Sequence, residues 1–238
     1  MNVTSESLVC PLCGAPRSPE FFRDAQREAS GMRHSRRYHR CSVCQLIFVP
    51  PHHFLSFAAE KAEYDLHQNS PEDMGYRRFL SRLFLPMQAQ LQPRSKGLDF
   101  GCGPGPTLSV MFEEAGHHVR LFDPFYAPFP SVLEQQYDFI TATEVVEHLR
   151  RPLKDLGRIW SCLKPGGLLG VMTKLALDKS AFSRWHYKDD LTHVCFFSKE
   201  TFRWLADYWW ADLEFVGKDV ILLRKKGATD VGSGGAGE

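Results

Sequence analysis

The stretch Leu98-Asp99-Phe100-Gly101-Cys102-Gly103-Pro104-Gly105 decides the fold. Its glycines sit where a strand turns sharply into a helix and a ligand must come close to bare backbone. Downstream, Leu108, Met111, Phe112 and Ala115 share one helical face, Gly116 supplies the stop, and a further strand ends at Asp123. Strand, glycine turn, helix and strand make a βαβ unit. In an open parallel sheet, ligands bind at the carboxyl edge of such strands.

The alternation continues outward from this unit. A strand over residues 139–143 is followed by a helix carrying Leu153, Leu156, Trp160 and Leu163, a Lys164-Pro165-Gly166-Gly167 turn and a strand over residues 168–173. A later helix begins near Ser198 with Phe202, Leu205 and Trp209 on one face, and residues 213–216 and 220–223 close the chain as a hairpin. Upstream, Ser70 is expected to cap a helix with Pro71 at its first position and Phe79, Leu80, Leu83, Phe84 and Met87 as its apolar stripe. The expected fold class is α/β: a Rossmann-like, doubly wound, mainly parallel sheet with a C-terminal antiparallel hairpin. The expected divisions are a small N-terminal zinc-binding module over residues 1–51, a helical connector or lid over 52–94, the main domain over 95–226 and a Gly-rich disordered tail over 227–238.

Asp123 follows Gly103 by twenty residues, at the strand end where nucleotide-binding sheets place a carboxylate for ribose hydroxyls. A dinucleotide fingerprint would need a third glycine where this chain has Pro106. The acid followed by GxGxG resembles motif I of the class I S-adenosylmethionine-dependent methyltransferases. The resemblance spans residues 96–225, through Tyr137-Asp138-Phe139-Ile140, Glu144-Val145-Val146-Glu147-His148 and Leu163-Lys164-Pro165-Gly166-Gly167. It implies that Gly101, Gly103 and Gly105 border the methionine portion of the cofactor, Asp99 its amino group and Asp123 the ribose, with Thr143 and Glu144 lining the substrate side. The chain departs from the family between Asp123 and Tyr137, where a short Pro- and Phe-rich stretch shortens or removes the third strand and leaves the adenine contacts unnamed.

Glu144, Glu147 and His148 follow a strand end, and three- and four-residue spacings on a helical turn let Glu144 meet both others. With His193, in Asp190-Leu191-Thr192-His193-Val194, they form the candidate catalytic set and a candidate site for Mg2+ or another divalent cation. The pattern is similar to Glu-x-x-Glu-His with a distant His in small-RNA 2′-O-methyltransferases, and to the Glu-x-x-Glu-His segment of ubiquinone-pathway O-methyltransferases. That likeness implies a hydroxyl acceptor, whose proton a metal or an imidazole base would remove. Trp185 and Tyr187 are read either as part of a lid or as core.

Cys10-x-x-Cys13 and Cys41-x-x-Cys44 have the knuckle spacing of a closed, structural zinc site of four thiolates. Between them lie Arg17, Arg23, Arg27, Arg33, Arg36, Arg37 and Arg40, with His34 and His39, partly offset by Glu20, Asp24 and Glu28. Such charge serves either as a solvated face or as a grip on RNA or a phosphorylated substrate.

The formal net charge of +1 supplies no overall field for a polyanion. No signal peptide or membrane span is legible, so a cytoplasmic location is expected. The reading is therefore a methyltransferase using S-adenosylmethionine and structural Zn2+, acting on a hydroxyl of a small or modest-sized molecule. Two alternatives stand beside it: an RNA methyltransferase gripping RNA through the zinc module, and a noncatalytic zinc-containing binding protein on the same scaffold. Acceptor and oligomeric state are not legible.

Overall fold

The computed structural model describes residues 8–27 and 33–227. The glycine-rich tail from residue 228, Glu28 and the side chains of Arg27, Arg33 and His34 lie outside the described residues.

In chain order the elements are β1 (Glu20–Arg27), β2 (Arg33–Arg40), β3 (Ile47–Phe48), α1 (Phe57–Tyr64), α2 (Met74–Gln88), β4 (Lys96–Phe100), α3 (Thr107–Glu114), β5 (His118–Phe122), β6 (Tyr137–Thr143), α4 (Pro152–Ser161), β7 (Leu163–Met172), α5 (Lys179–Ser183), β8 (Cys195–Phe196), α6 (Lys199–Trp209), β9 (Ala211–Val216) and β10 (Val220–Lys225). They form two compact units.

One unit comprises His67–Thr143, Arg158–Met172 and Ala206–Glu238. Its six-stranded sheet has the order β5-β4-β6-β7-β10-β9. β4 to β7 pair in parallel, and β10 runs antiparallel to both β7 and β9, giving the expected closing hairpin. Leu80, Leu83 and Met87 of α2 and Leu108, Met111 and Phe112 of α3 bury themselves with Phe139, Leu168, Met172, Val220 and Leu222 of the sheet. Between Asp123 and Tyr137 there is only an Asp123–Ala127 bridge and a 3-10 turn at Pro130–Glu134, so the family's third strand is absent from this sheet.

Two expected boundaries move. α2 is capped by Asp73, whose carboxylate accepts from the amides of Gly75 and Tyr76 at 2.7 and 3.2 Å, rather than by Ser70. Ser70 instead begins the preceding turn, its carbonyl accepting from the Asp73 amide. Lys164 to Gly167 is not a turn before a strand: it lies inside β7, where the register against β6 shifts between Tyr137 and Phe139 and Gly166 adopts a φ of 78°. A bulge absorbs the glycines and extends the strand back to Leu163.

The other unit is discontinuous: Met1–Leu66, Glu144–Gly157 and Thr173–Leu205. Its sheet, β1-β2-β3-β8, is antiparallel throughout. Ile47 pairs with Phe196 and Phe48 with Cys195, so the segment holding the cysteine pairs shares a sheet with residues far downstream. The sequence-based boundary at residue 51 is crossed by this pairing, because a two-stranded hairpin needs further strands to bury its inner face. Tyr38, Ile47 and Phe196 of the sheet and Phe182 of α5, which packs its ring against Tyr38 and Phe196, are all close to fully buried.

Candidate functional site

At the end of β4 the backbone turns left-handed at Gly101 (φ 76°) and again at Gly103 (φ 63°), the conformation that favours glycine. Gly105 is required for closeness instead: a Cβ there would overlap the backbone carbonyl of Asn69. Asp123 ties this loop to the end of β5, its Oδ2 accepting from the Gly103 amide at 3.0 Å. Its Oδ1 accepts from the amides of Phe125 and Tyr126 at 2.8 and 3.1 Å, holding the next turn. Asp123 thus holds the loop and caps the next turn, and each carboxylate oxygen keeps lone-pair capacity for a further donor.

Asp99, fully buried in β4, accepts from Thr141 Oγ1 at 2.7 Å. Burial pushes its carboxyl up to about 6, against the opposing effect of the Thr141 bond. Asp99, Gly101, Gly105 and Thr143 line one concavity with Tyr76 and Leu108. The Thr143 hydroxyl is buried without a hydrogen-bond partner. An orphaned buried hydroxyl beside a bare glycine loop fits a polar ligand entering here. Of the predicted cofactor residues, Asp99, Gly101, Gly105 and Thr143 meet at this concavity, while Gly103 and Asp123 are bonded to each other.

The chain passes from Thr143 into Glu144, which holds a left-handed φ of 51°, and then into a single 3-10 turn, Val146–His148. Glu147 is wholly buried; one oxygen accepts from the Tyr187 hydroxyl and the other from Thr173 Oγ1 at 3.1 Å. Burial, seconded by the Glu144 charge, pushes Glu147 up to about 8. His193 donates from Nδ1 to the Tyr187 carbonyl at 2.6 Å, which fixes its lone pair on Nε2. Burial holds this imidazole below its ordinary value, against the opposing pull of the Asp190 carboxylate, whose Oδ2 lies 3.6 Å from Nε2. His148 points Nδ1 at the Thr192 carbonyl at 3.3 Å, and its ring lies 4.7 Å from that of His193.

Ligand atoms of Glu147, His148 and His193 lie within 4.8 Å of one another, a set of the kind that can hold a divalent cation. Glu144 stands outside it and joins through Tyr187, whose hydroxyl is 3.4 Å from Glu144 Oε2. Glu144 precedes the three-residue 3-10 turn with a positive φ, and it meets Glu147 through the Tyr187 hydroxyl that bonds both carboxylates. Sequence reading missed Thr173, which ends an apolar strand without any motif, and left Tyr187 between lid and core; it is buried and bonded to Glu147.

The four cysteine sulfurs also lie within 4.8 Å of one another, with Cys10–Cys44 at 3.5 Å and Cys13–Cys41 at 3.3 Å. Each pair closes the same turn: the Gly14 amide bonds to the Cys10 carbonyl and the Gln45 amide to the Cys41 carbonyl. Gly14 and Gln45 are both left-handed, at φ 72° and 62°. Two matching knuckles with converging thiols fit tetrahedral zinc. The described arginines between them divide: Arg36 is buried and Arg40 lies over the Phe21 ring, whereas Arg17 and Arg23 are exposed, Arg23 in a surface pair with Glu20.

Among curated protein sequences, none matches the chain. In fold it is similar to the 1,6-didemethyltoxoflavin-N1-methyltransferase of Burkholderia thailandensis, solved with 1,6-didemethyltoxoflavin and S-adenosylhomocysteine, at 16% identity over 80% of this chain and 99% of the other, with a TM-score of 0.50. A structure from Thermotoga maritima described as a possible histamine N-methyltransferase is similar over 74% of this chain and 99% of its own, at 16% identity and a TM-score of 0.44. A family model for the methyltransferase domain matches residues 72–209, more than half of the sequence. With its glycine loop, its Asp123 and that match, the chain belongs to the methyltransferase-domain family of class I S-adenosylmethionine-dependent enzymes.

Proposed function

We propose that this protein transfers a methyl group from S-adenosylmethionine to a hydroxyl of a small molecule, with His193 as the proton acceptor. The observation that carries the reading is the setting of His193: buried, and anchored through Nδ1 to the Tyr187 carbonyl so that Nε2 carries the lone pair. When bound, the cofactor supplies an electrophilic methyl on a positively charged sulfur. The Gly101–Gly105 loop admits its methionine end, with Asp99 facing the amino group, Asp123 the ribose and the Thr143 hydroxyl a further polar atom. Glu144 remains proposed as a residue on the substrate side. As the acceptor oxygen bonds the methyl and the carbon–sulfur bond breaks, the acceptor's proton passes to His193 Nε2, leaving neutral thioether and methyl ether. Glu147, whose carboxyl burial pushes up to about 8, accepts from the Tyr187 hydroxyl and so keeps the Nδ1 anchor in place.

Arg36, buried against backbone carbonyls, is withdrawn from any phosphate grip, which supports a small acceptor over RNA. The fit of the cysteine set supports Zn2+ as a structural metal there. A cytoplasmic location remains part of this proposal; among the described residues, no helix is long and apolar enough to cross a membrane.

Matched phenol, aniline and thiol acceptors incubated with methyl-labelled S-adenosylmethionine test the reading. Label on the hydroxyl compounds alone, reduced at least 100-fold by His193→Gln, is expected. Label on the amines, or none lost in His193→Gln, would refute it. Loss of labelling to a chelator that leaves the cysteine site filled, with recovery on adding a divalent ion, would put a cation at Glu147, His148 and His193 in place of the base. Two imidazoles and a carboxylate would then suit Mn2+ or Fe2+ better than Mg2+.

A further inference from the structure

Arg36 projects inward from β2 and is buried, with 4% of its surface exposed. Among the described residues its guanidinium has no carboxylate partner within hydrogen-bond distance. Nη1 donates to the carbonyls of Lys188 and Asp190 at 3.0 and 3.1 Å, and Nη2 to those of Leu191 and His193 at 3.2 and 2.6 Å. Four carbonyls of one six-residue segment are gathered on a single planar fork, a geometry that lysine cannot reproduce. The same segment is fastened twice more from the hairpin. Tyr38 donates to the Lys188 carbonyl at 3.2 Å, and Lys188 Nζ pairs with Asp24 of β1 at 2.7 Å. At the segment's end the Val49 amide donates to the Val194 carbonyl, and the Val194 amide to the carbonyl of Glu147 at 2.7 Å.

Within the segment there is a 3-10 turn over His186–Asp189 and an Asp190 turn that accepts from the Thr192 amide and hydroxyl and sets Oδ2 3.6 Å from His193 Nε2. None of these internal bonds holds the Tyr187 carbonyl, which is left to the fold of the whole loop. We infer that Arg36 is the positioning residue for His193: by collecting the carbonyls of Lys188, Asp190, Leu191 and His193 it sets the loop curvature that brings the Tyr187 carbonyl to Nδ1 and fixes the imidazole tautomer. The cysteine module, whose hairpin carries Arg36, is thereby part of the machinery that presents the base. The inference rests on the proposed role of His193 for its functional meaning, though the tautomer itself is independent of that role.

The test is 15N NMR of histidine-labelled, zinc-loaded, full-length protein, with the His193 signals identified from His193→Gln. In the parent protein His193 is expected as a single Nδ1–H tautomer with an observable ring N–H proton, and the Val194 amide as slow to exchange. In Arg36→Met the ring proton is expected to vanish into exchange, the two nitrogens to show mixed tautomers, and Val194 exchange to speed at least tenfold, while S-adenosylmethionine affinity by calorimetry stays within twofold. A parent-like tautomer and Val194 exchange in Arg36→Met would overturn the inference. If that variant does not fold, Arg36→Lys decides: mixed tautomers support it, and one locked tautomer with unchanged Val194 exchange overturns it. Methyl transfer surviving in His193→Gln would remove the base reading and leave the tautomer result standing.

Discussion

Gly105 shows how little room the cofactor loop leaves. A methyl group there would collide with the backbone of Asn69, which cannot swing aside as a side-chain tip could. Gly105→Ala is therefore expected to lower stability by roughly 2–4 kcal/mol and to abolish S-adenosylmethionine binding by calorimetry; binding within threefold of the parent would contradict this. Asp99 makes a second expectation. Its folded value of about 6 lies above that of an ordinary carboxyl because the charge is buried. The contribution of its protonated form is complete below the ordinary carboxylate range and is lost as pH rises through about 6. In cofactor-free protein, Asp99→Asn should gain about 1–3 kcal/mol relative to the parent between pH 5 and 8. Equal pH dependence of the two melting curves would count against a buried, strained carboxylate. For His193 the sign is opposite in use: an imidazole held below its ordinary value stays basic to lower pH, so the acid limb of methyl transfer should fall below about 6.5. A limb at or above that value would mean that a different group is titrating.

Among the elements, α2 illustrates a cap that can be measured. Replacing Asp73 by Ala removes the acceptor for two first-turn amides and should cost about 1 kcal/mol in chemical denaturation, whereas Ser70→Ala should cost less. The glycine loop, Asp123 and the β4-to-β7 alternation were legible because each follows from local period and turn chemistry. The β1–β2 hairpin was not. Its inner face carries Arg36 beside Tyr38, and His39 on the other face is buried too, so no apolar alternation is legible until the carbonyls that receive Arg36 are seen. β8 was hidden for another reason: two residues carry no period, and its partner β3 lies far upstream. Glu147 and His193 were recognised as residue types at a spacing, yet the Tyr187 carbonyl and hydroxyl that orient them obey no sequence rule.

For the molecule as a whole, the metal of the cysteine pairs should matter beyond its own knuckles. The Arg40–Cys41 junction ends β2, and Cys44 leads within three residues to β3. Stripping zinc with a chelator is expected to lower the first melting transition by roughly 10 °C. The same treatment should scramble the His193 tautomer, as Arg36→Met does. A melting curve indifferent to chelation would show that the four thiols do not hold a structural ion. The pairing of β3 with β8 also bears on ancestry. A zinc cassette that folds by itself can be shuffled between genes, but this one borrows a strand from residues 195–196 and lends its donors to carbonyls 188–193. A chimera given another chain's first 51 residues would strand both at once, so these distant stretches can diverge only in step, as two halves of one heritable part.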